Sequence, residues 1–337
     1  MKIFVTGASG YVGNKLVHTL ASEGHIVHAL VRSLSAEQLL RGSEIKIFKG
    51  DLLDKKSISV AMEGCTHVYH TAAISKLWVK KPETFYEQNV TGTENVLHAA
   101  VRNEIQKLVY TSSCGVWSAS KNHLFTENDP RVSSFDNDYD LSKYLAERLV
   151  RHYSQKGLNA VIVNPARIYG PGLNRNSSGV NRFVDMLLRS RINLLPWRLE
   201  ASSSYSFIDD VVNGHILAME KGASGERYIL GGENISYRRF IELFQIISGT
   251  RKIALRIPSW MLRSWGFIEM MRGKFSDHDP LLVPAMVRRF NLDKTFDCSK
   301  AVKQLGYVIT PFELGLQRTI EHLQKMRTWK IQNRLIH

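Results

Sequence analysis

The stretch TGASGYVG (residues 6–13) decides the fold, because it joins an apolar run to a segment with helical periodicity. The run KIFVT (2–6) precedes it and is typical of a strand. After it, Val12, Leu16 and Leu20 recur every four residues, which is typical of a helix. A strand that turns directly into a helix predicts the first unit of a parallel α/β sheet.

Glycine occupies three positions of this turn, in the pattern G-x-x-G-x-x-G. It permits a tight turn and lets the backbone approach a pyrophosphate, while the following helix offers free N–H groups and a partial positive charge. A glycine-rich turn alone can be no more than a turn, but a strand before it and a helix after it favour dinucleotide binding. The candidate cofactor-binding residues here are Gly7, Gly10, Tyr11, Val12 and Gly13.

Arg32 stands nineteen residues beyond Gly13, at the end of the second apolar run. A carboxylate at this position would bind the adenosine ribose and repel a 2′-phosphate, whereas arginine can hold the phosphate through paired N–H bonds. This predicts a preference for NADP(H) over NAD(H). The alternative is that Arg32 only stacks on the adenine and leaves NAD(H) usable.

Short apolar runs alternate with helix-like segments through the first half of the chain. Strands are predicted at 2–6, 25–31, 45–48, 66–70, 107–113 and 160–165, and helices at 85–101 and 139–157. Several runs are almost continuously apolar, as in parallel strands covered on both faces. The predicted fold is α/β, a Rossmann-type doubly wound parallel sheet with a smaller mixed C-terminal substrate lobe.

The strand–helix rhythm loosens after Pro165, although one more strand is predicted at 227–230. The predicted dinucleotide-binding domain spans 1–175, with 205–232 returning to it. The predicted substrate-binding lobe spans 176–337 and is interleaved with the first domain.

Composition bounds the class of protein. The chain has 337 residues, 44% of them hydrophobic and 23% charged, which is typical of a soluble globular protein. No stretch of eighteen residues is free of charge, and the N-terminus lacks the apolar core of a signal peptide. Cys65, Cys114 and Cys298 show neither paired nor metal-ligand spacing. No metal is expected, and the predicted compartment is the reducing cytoplasm.

The formal net charge of +14 could recruit nucleic acid, anionic lipid or anionic small molecules. The positive residues are scattered, however, and the sequence has no helix-turn-helix pattern, zinc-ligand spacing or aromatic RNA-binding signature. A solvated basic surface is therefore favoured over nucleic-acid binding.

Tyr139 and Lys143 lie four residues apart in a predicted helix, so their side chains share one face. Tyrosine is a poor acid or base at neutral pH, with an ordinary pKa of about 10. A fixed ammonium beside it would lower that pKa. Such a pair is more often surface decoration, but the serines of YTSS (110–113) and the glycine loop favour a catalytic pair.

Eight motifs in order resemble those of the extended short-chain dehydrogenase/reductases, the NAD-dependent epimerase/dehydratase superfamily. They are TGASGYVG, GDLLD (50–54), HTAA (70–73), NVTGT (89–93), VYTSS (109–113), YDLSK (139–143), NPARIYGPG (164–172) and YSFIDDVVNGHILAMEKG (205–222). Within the superfamily the chain is similar to the dihydroflavonol-4-reductase-like branch. The stretch 215–236 is similar to farnesol dehydrogenase and to hopanoid-associated sugar epimerase proteins.

The resemblance implies further cofactor contacts. Asp51 would accept a bond from the adenine amine, with the Leu52 backbone beside it, and Ala72 would pack against ribose and phosphate. Pro165 and Ile168 would hold the nicotinamide. The residues alone leave open a helix cap for Asp51 and plain strand packing for Ala72.

The resemblance also implies a catalytic triad of Ser113, Tyr139 and Lys143. Tyr139 would donate a proton to a carbonyl oxygen in reduction, and accept the alcohol proton in oxidation. Lys143 would also bond the nicotinamide ribose. Ser113, rather than Ser112, would hold the reacting oxygen. Asn89 matches an asparagine tied to this network, or bonds only neighbouring backbone.

The implied activity is an oxidoreductase acting on CH–OH groups of a small, fairly apolar carbonyl or alcohol substrate. The alternative is a nucleotide-sugar epimerase or dehydratase with tightly bound NAD. Many of those carry an arginine before the FIDD-like segment, where ASSSYSFIDD (201–210) has serines. A non-catalytic redox-sensing cofactor binder is the weakest alternative, because such proteins typically lack the tyrosine–lysine pair.

Three further interpretations concern surfaces and packing. Trp78 and Trp117 could shape the substrate pocket. The basic, tryptophan-containing segment 260–274 could touch a membrane surface, but a lid over the active site is the favoured interpretation. Relatives often dimerise through helices equivalent to 85–101 and 139–157, so a homodimer is an open prediction.

Overall fold

The computed structural model describes residues 1–119, 122–173, 178–190, 192–196, 199–250, 253–276, 280, 282–289 and 292–335. Its strands are β1 (Lys2–Thr6), β2 (Ile26–Val31), β3 (Ile45–Lys49), β4 (His67–His70), β5 (Lys107–Thr111), β6 (Leu124–Phe125), β7 (Ala160–Pro165), β8 (Arg167–Tyr169), β9 (Ile192–Pro196), β10 (Ser202–Phe207), β11 (Arg227–Leu230), β12 (Glu233–Ser236), β13 (Ile253–Ile257) and β14 (Thr295–Phe296). Its helices are α1 (Tyr11–Ser22), α2 (Lys55–Met62), α3 (Glu83–Tyr86), α4 (Gly92–Arg102), α5 (Asp138–Gln155), α6 (Gly179–Arg189), α7 (Ile208–Lys221), α8 (Tyr237–Ser248), α9 (Ser259–Phe275), α10 (Pro284–Arg289), α11 (Ser299–Leu305) and α12 (Phe312–Leu335).

The main sheet has seven strands in the order β11-β7-β5-β4-β1-β2-β3, and every neighbouring pair is parallel. The chain winds outward from β1 in one direction and then from β4 in the other. Where two such halves meet, a crevice opens at the carboxyl ends of the strands, and ligands of open α/β sheets bind there. The predicted doubly wound parallel sheet is confirmed.

Helices cover both faces of this sheet, which explains the almost continuously apolar strands. Leu16 of α1 and Val212 of α7 pack with Val5 in the core of one face. Val96 of α4 packs with Phe4 in the core of the other. Adjacent residues of β1 therefore enter opposite cores, as the two-residue period of a strand requires.

The remaining strands form smaller sheets. β12, β10 and β8 make a mixed three-stranded sheet, and β13–β9 and β14–β6 are parallel pairs. Phe240 of α8 and Leu316 of α12 pack with Tyr205 of β10. Among the described residues, no helix combines the length and the apolar character needed to cross a bilayer.

Two predicted elements differ from the structure in a way that a local feature explains. The strand predicted over 107–113 ends at Thr111, because Ser113 caps a short 3₁₀ turn by accepting from the Gly115 nitrogen. The helix predicted over 85–101 is interrupted by a wide π-type turn at Glu87–Thr91, between α3 and α4. Turns of this type occur frequently at functional sites, and this one contains the buried Asn89.

Candidate active site

The loop after β1 turns tightly, and two of its glycines pack against backbone where a side chain would not fit. Gly7 has a left-handed backbone, with φ of +71°, and a Cβ there would lie 2.7 Å from the Ala72 nitrogen. A Cβ on Gly13 would lie 2.1 Å from the Gly7 carbonyl oxygen. The Gly10 nitrogen donates to that same oxygen, and α1 begins at the next residue. The loop therefore fits a dinucleotide pyrophosphate at the helix N-terminus, with Ala72 against it.

Tyr11 and Val12 form the first turn of α1. The Tyr11 hydroxyl donates to the Gly170 carbonyl oxygen at 2.8 Å and accepts from Asn181 Nδ2 at 3.4 Å. Burial raises the pKa of this phenol above its ordinary value. Val12 packs against the core of the main sheet. The Tyr11 side chain thus ties the glycine loop to the segment after β8, so a cofactor contact would come from its backbone.

Arg32 directly follows β2 and its side chain is exposed at the carboxyl end of the sheet. Asp51 follows β3, and its carboxylate accepts from the Leu53 nitrogen at 2.9 Å. Asp54, not Asp51, caps α2, so the helix-cap interpretation of Asp51 is wrong. Leu52 is buried beside it. Arg32 and Asp51 thus lie at the ends of the two strands outside β1, where an adenosine would extend from the glycine loop.

Lys143 is the central charge of the site. It lies on α5 with only 1% of its surface exposed. Its ammonium donates to the Thr111 carbonyl oxygen at 2.7 Å and lies 4.3 Å from the centre of the Tyr110 ring. Burial lowers the pKa of Lys143 to about 7, although Glu147 opposes the shift. The ammonium is therefore close to titrating at neutral pH.

Tyr139 lies one turn ahead of Lys143, in the first turn of α5. Asn137 begins this helix by accepting from the Asp140 nitrogen at 2.9 Å. The Tyr139 ring is half-buried, and its centre lies 6.5 Å from that of Phe85. Tyr139 and Lys143 thus lie one turn apart on the same helix, near its N-terminus.

Ser113 lies at the carboxyl end of β5, beyond the carbonyl that holds Lys143. Its hydroxyl oxygen accepts from the Gly115 nitrogen at 3.0 Å, which leaves its own hydrogen to donate elsewhere. Ser112 is buried, and its hydroxyl has no hydrogen-bond partner among the described residues. Ser113, which is half-buried, is thus the better placed of the two to reach a substrate oxygen.

Two residues that the sequence did not single out support this strand end. Glu147 lies one turn beyond Lys143 and accepts from Asn164 Nδ2, which also donates to the Ser113 carbonyl oxygen at 3.2 Å. Asn164 precedes Pro165, the last residue of β7. Ile168 lies in β8 and packs against the core of the main sheet. The end of β7 is therefore bonded to the serine loop and to the helix of Tyr139.

A chain of buried hydrogen bonds begins at the glycine loop. The Thr6 hydroxyl lies 2.7 Å from His70 Nδ1, and His70 Nε2 lies 2.9 Å from the Thr93 hydroxyl. Thr93 donates its only hydroxyl hydrogen to the Asn89 carbonyl oxygen at 2.7 Å. It must therefore accept from His70, which fixes the hydrogen on Nε2 and makes Nδ1 the acceptor of the Thr6 hydrogen. These hydrogen bonds therefore assign one position to each hydroxyl and imidazole hydrogen of this chain.

The chain continues to the helix of Tyr139. Asn89 donates from Nδ2 to the Ser142 hydroxyl at 2.9 Å, and Ser142 donates to the Tyr139 carbonyl oxygen at 2.8 Å. Asn89 also bonds the backbone N–H and carbonyl of Ile74. Asn89 therefore bonds neighbouring backbone and also connects to the helix of Tyr139, so the interpretation that it bonds only neighbouring backbone is wrong.

The positions that sequence reasoning missed lie inside motifs already quoted. His70, Thr93 and Asn164 occur in HTAA, NVTGT and NPARIYGPG, but their partners are distant in sequence. Glu147 had a usable signal, because it continues the four-residue spacing of Tyr139 and Lys143. The suggested pocket role of Trp117 is wrong, since this residue is 1% exposed and packs edge-on against Phe296.

Comparison with known proteins agrees with this fold. Residues 3–231 match the model of the NAD dependent epimerase/dehydratase family, so the chain belongs to that family. The match covers the main sheet from Ile3 onward, and it includes the glycine loop, Ser113, Tyr139 and Lys143. The predicted family is confirmed.

Particular relatives extend the comparison. A protein of Synechocystis sp., provisionally named dihydroflavonol 4-reductase, is 32% identical over 95% of this chain and 94% of its own length. A 3 beta-hydroxysteroid dehydrogenase/Delta 5→4-isomerase of Mycobacterium tuberculosis is 30% identical over 91% of this chain and 85% of its own. The structure of UDP-glucuronic acid 4-epimerase from Bacillus cereus in complex with NAD has a TM-score of 0.78 and 21% identity, covering 97% and 99% of the two chains. This last likeness shows a shared fold.

The hydrogen-bond chain predicts the state of His70. Burial, with a smaller repulsion from Lys143, lowers the pKa of His70 to about 3. We expect nitrogen NMR of the imidazoles to show one ring that stays neutral, with hydrogen on Nε2, throughout the range in which exposed histidines titrate. The signal is assigned by its loss in His70→Gln. A ring that titrates near the ordinary pKa, or carries hydrogen on Nδ1, would contradict the chain.

Burial of Lys143 predicts a pH-dependent stability cost. Between pH 7 and pH 10.5 the folded lysine is neutral while the unfolded one stays protonated, so the wild-type protein gains stability as pH rises. The variant Lys143→Met lacks this dependence. We therefore expect the unfolding free energy of Lys143→Met, relative to that of wild type, to fall by about 1.4 kcal/mol per pH unit across that window. Urea unfolding at several pH values measures this difference.

Lys156→Met, at the exposed end of α5, is the matched control and should show no such slope. A difference between Lys143→Met and wild type that stays constant with pH would mean that the Lys143 ammonium does not titrate there.

Proposed function

We propose that this protein is an oxidoreductase that transfers hydride between NADP(H) and the carbonyl or secondary alcohol of a small, fairly apolar substrate. The observation that carries the proposal is the buried ammonium of Lys143, held on one helix with Tyr139 and bonded to the strand that ends beside Ser113. Burial of an ionisable group is costly, so a lysine buried at a strand end next to a dinucleotide loop points to catalysis.

The bound nicotinamide would supply or accept the hydride, and the chain's own residues would handle the proton. In reduction, the Tyr139 hydroxyl gives its proton to the carbonyl oxygen, and the resulting phenolate is stabilised by the Lys143 ammonium. The Ser113 hydroxyl donates to the same oxygen and holds it in place. Oxidation of an alcohol runs through the same groups, with the phenolate of Tyr139 as the base.

The mixed sheet supports an apolar substrate over a nucleotide sugar. Many sugar-nucleotide enzymes have arginine before this segment, where β10 has the buried serines Ser203, Ser204 and Ser206. Ser204 bonds the Gly232 backbone, and Ser206 donates to the Leu230 carbonyl oxygen at 2.8 Å. On the neighbouring β8, Arg167 is engaged with the Tyr237 hydroxyl at 2.8 Å. A diphosphate would lack a bidentate partner on β10. The steroid named for the mycobacterial relative is likewise apolar.

Removal of the Tyr139 hydroxyl tests the proton donor. We expect Tyr139→Phe to lower turnover by about 10²–10⁴-fold, the usual contribution of general acid catalysis, while cofactor affinity measured by fluorescence titration stays unchanged. Tyr144→Phe, on the same helix and packed against Phe135, is the matched control and should keep wild-type turnover.

The substrate screen for this test follows absorbance of the reduced nicotinamide with ketones, aldehydes, alcohols and sugar nucleotides. Net cofactor turnover with apolar carbonyls supports the proposal. Conversion of a sugar nucleotide without net cofactor turnover would establish the epimerase or dehydratase alternative instead. Full activity in Tyr139→Phe would remove Tyr139 as the donor.

Reversal of charge at Arg32 tests the cofactor preference. A charge-assisted bond to a phosphate contributes about 1.5–3 kcal/mol, so we expect Arg32→Glu to raise KM for NADPH by about 10–100-fold. KM for NADH should change little, because that cofactor has no 2′-phosphate. Arg102→Glu, exposed at the end of α4, makes the same charge change away from the crevice and serves as control. A wild-type preference for NADH would refute the assignment.

A further inference from the structure

The helix α9 exposes an unusual concentration of large apolar side chains. Trp260 is 69% exposed and Phe275 85%, at opposite ends of the helix. Between them, further exposed or half-buried apolar residues are Met261, Trp265, Phe267, Ile268 and Met271. Isolated exposed apolar residues need no explanation, but a continuous row along one helix marks an interaction site. These seven residues are called the outer face of α9 below.

The opposite side of α9 is already packed. Its buried residues are Leu262, Gly266, Glu269 and Gly273, which recur every three or four positions and so form one stripe. Leu262 contacts the cluster of Leu282 and Val287. Gly266 allows α9 to pack closely against the start of α10, since a Cβ there would lie 3.2 Å from the Pro284 nitrogen. These contacts fix the helix with its outer face turned away from α10.

Charge on the exposed side of α9 is of one sign. At about 100° per residue, Arg263 and Lys274 fall together on one edge of the outer face, and Arg272 falls near the other edge. All three side chains are exposed. The only acidic residue of the helix, Glu269, is 4% exposed and bonds Arg272 at 3.1 Å. The outer face is therefore an apolar strip flanked by cations.

We propose that α9 lies flat on the surface of an anionic phospholipid bilayer, with its outer face in the acyl-chain boundary. The flanking arginines and lysine would reach up to the phosphates, since long basic side chains can keep the charge in the headgroup layer while their stems stay in apolar surroundings. Trp260 and Trp265 suit the same boundary, because indole is apolar with one polar N–H. A shallow groove lined by Phe267, Met271 and Phe275 offers a place for part of an acyl chain.

A second copy of the chain fits this face less well. In a two-fold symmetric dimer the same patch meets itself, so cations of the two outer faces would approach each other. No exposed acidic residue of α9 is available to pair with them. Anionic lipid, by contrast, supplies negative charge along both edges of the helix, and the net charge of +14 favours the same partner.

The test is co-sedimentation of the full-length protein with vesicles. We expect binding to vesicles of equal parts phosphatidylcholine and phosphatidylglycerol, at least about tenfold weaker binding to phosphatidylcholine alone, and weakening by salt. The triple variant Trp260→Ser, Phe267→Ser, Phe275→Ser should lose binding. The pair Arg263→Gln, Lys274→Gln should weaken it by about tenfold and reduce its salt dependence.

Matched variants change the same number of exposed apolar and of charged residues elsewhere on the surface. Val132→Ser, Ile246→Ser, Val308→Ser changes three exposed apolar residues, and Arg102→Gln, Lys156→Gln changes two exposed cations. Both should bind vesicles as wild type does, and circular dichroism checks that every variant is folded.

Three outcomes would overturn the proposal. The first is absence of binding to the anionic vesicles. The second is unchanged binding by the folded triple variant of α9. The third, seen by light scattering, is a wild-type dimer that becomes a monomer in the triple variant without any vesicle binding, since the outer face would then be the seat of a second copy.

Discussion

The rest of the site depends on the burial of one ammonium group. Lys143 can stay inside the protein only where a carbonyl accepts its hydrogen, and Thr111 supplies that carbonyl at the end of β5. The Tyr110 ring below it contributes an electron-rich face. Because α5 is fixed by this bond, Tyr139 one turn earlier and Ser113 two residues beyond Thr111 are fixed relative to each other. The position of the proposed proton donor thus follows from the hydrogen bond that the buried lysine makes.

The buried chain from Thr6 to the Tyr139 carbonyl adds a second constraint. Thr6, His70, Thr93 and Asn89 are almost fully buried, and in this chain each bonds another buried group. Such a network is stable only when all its members are in place, because a single missing partner leaves a costly unpaired group. It connects the loop proposed to hold the cofactor to the helix proposed to move the proton. A site built in this way is preorganised before any ligand arrives.

Local sequence patterns predicted those features of the molecule that are determined by residues close together in the sequence. The glycine turn, the strands that flank it and the Tyr139–Lys143 spacing each depend on a few adjacent residues, and the structure has these elements where they were expected. The bonds of His70 to Thr93 and of Asn164 to Glu147 depend on which strands and helices become neighbours, and no local pattern contains that information. The same limit explains Trp117, whose burial follows from its contact with Phe296, far along the chain. The π-type turn around Asn89 likewise replaces an unbroken helix because Asn89 bonds Ile74 and Ser142 across space.

The outer face of α9 shows how composition and burial carry different information. The segment is apolar nearly all round, so its sequence fits a buried helix, a lid or a surface helix equally well. The burial pattern decides against a fully buried helix, because only one narrow stripe is buried, with Gly266 packed against Pro284, and the large apolar side chains stay outside. On the proposed function, this arrangement has a use. An apolar carbonyl or alcohol concentrates in lipid rather than in water, and an enzyme that rests on the bilayer meets its substrate where that substrate is most abundant. The catalytic half of the chain would then set the chemistry, while α9 would set where the chemistry takes place.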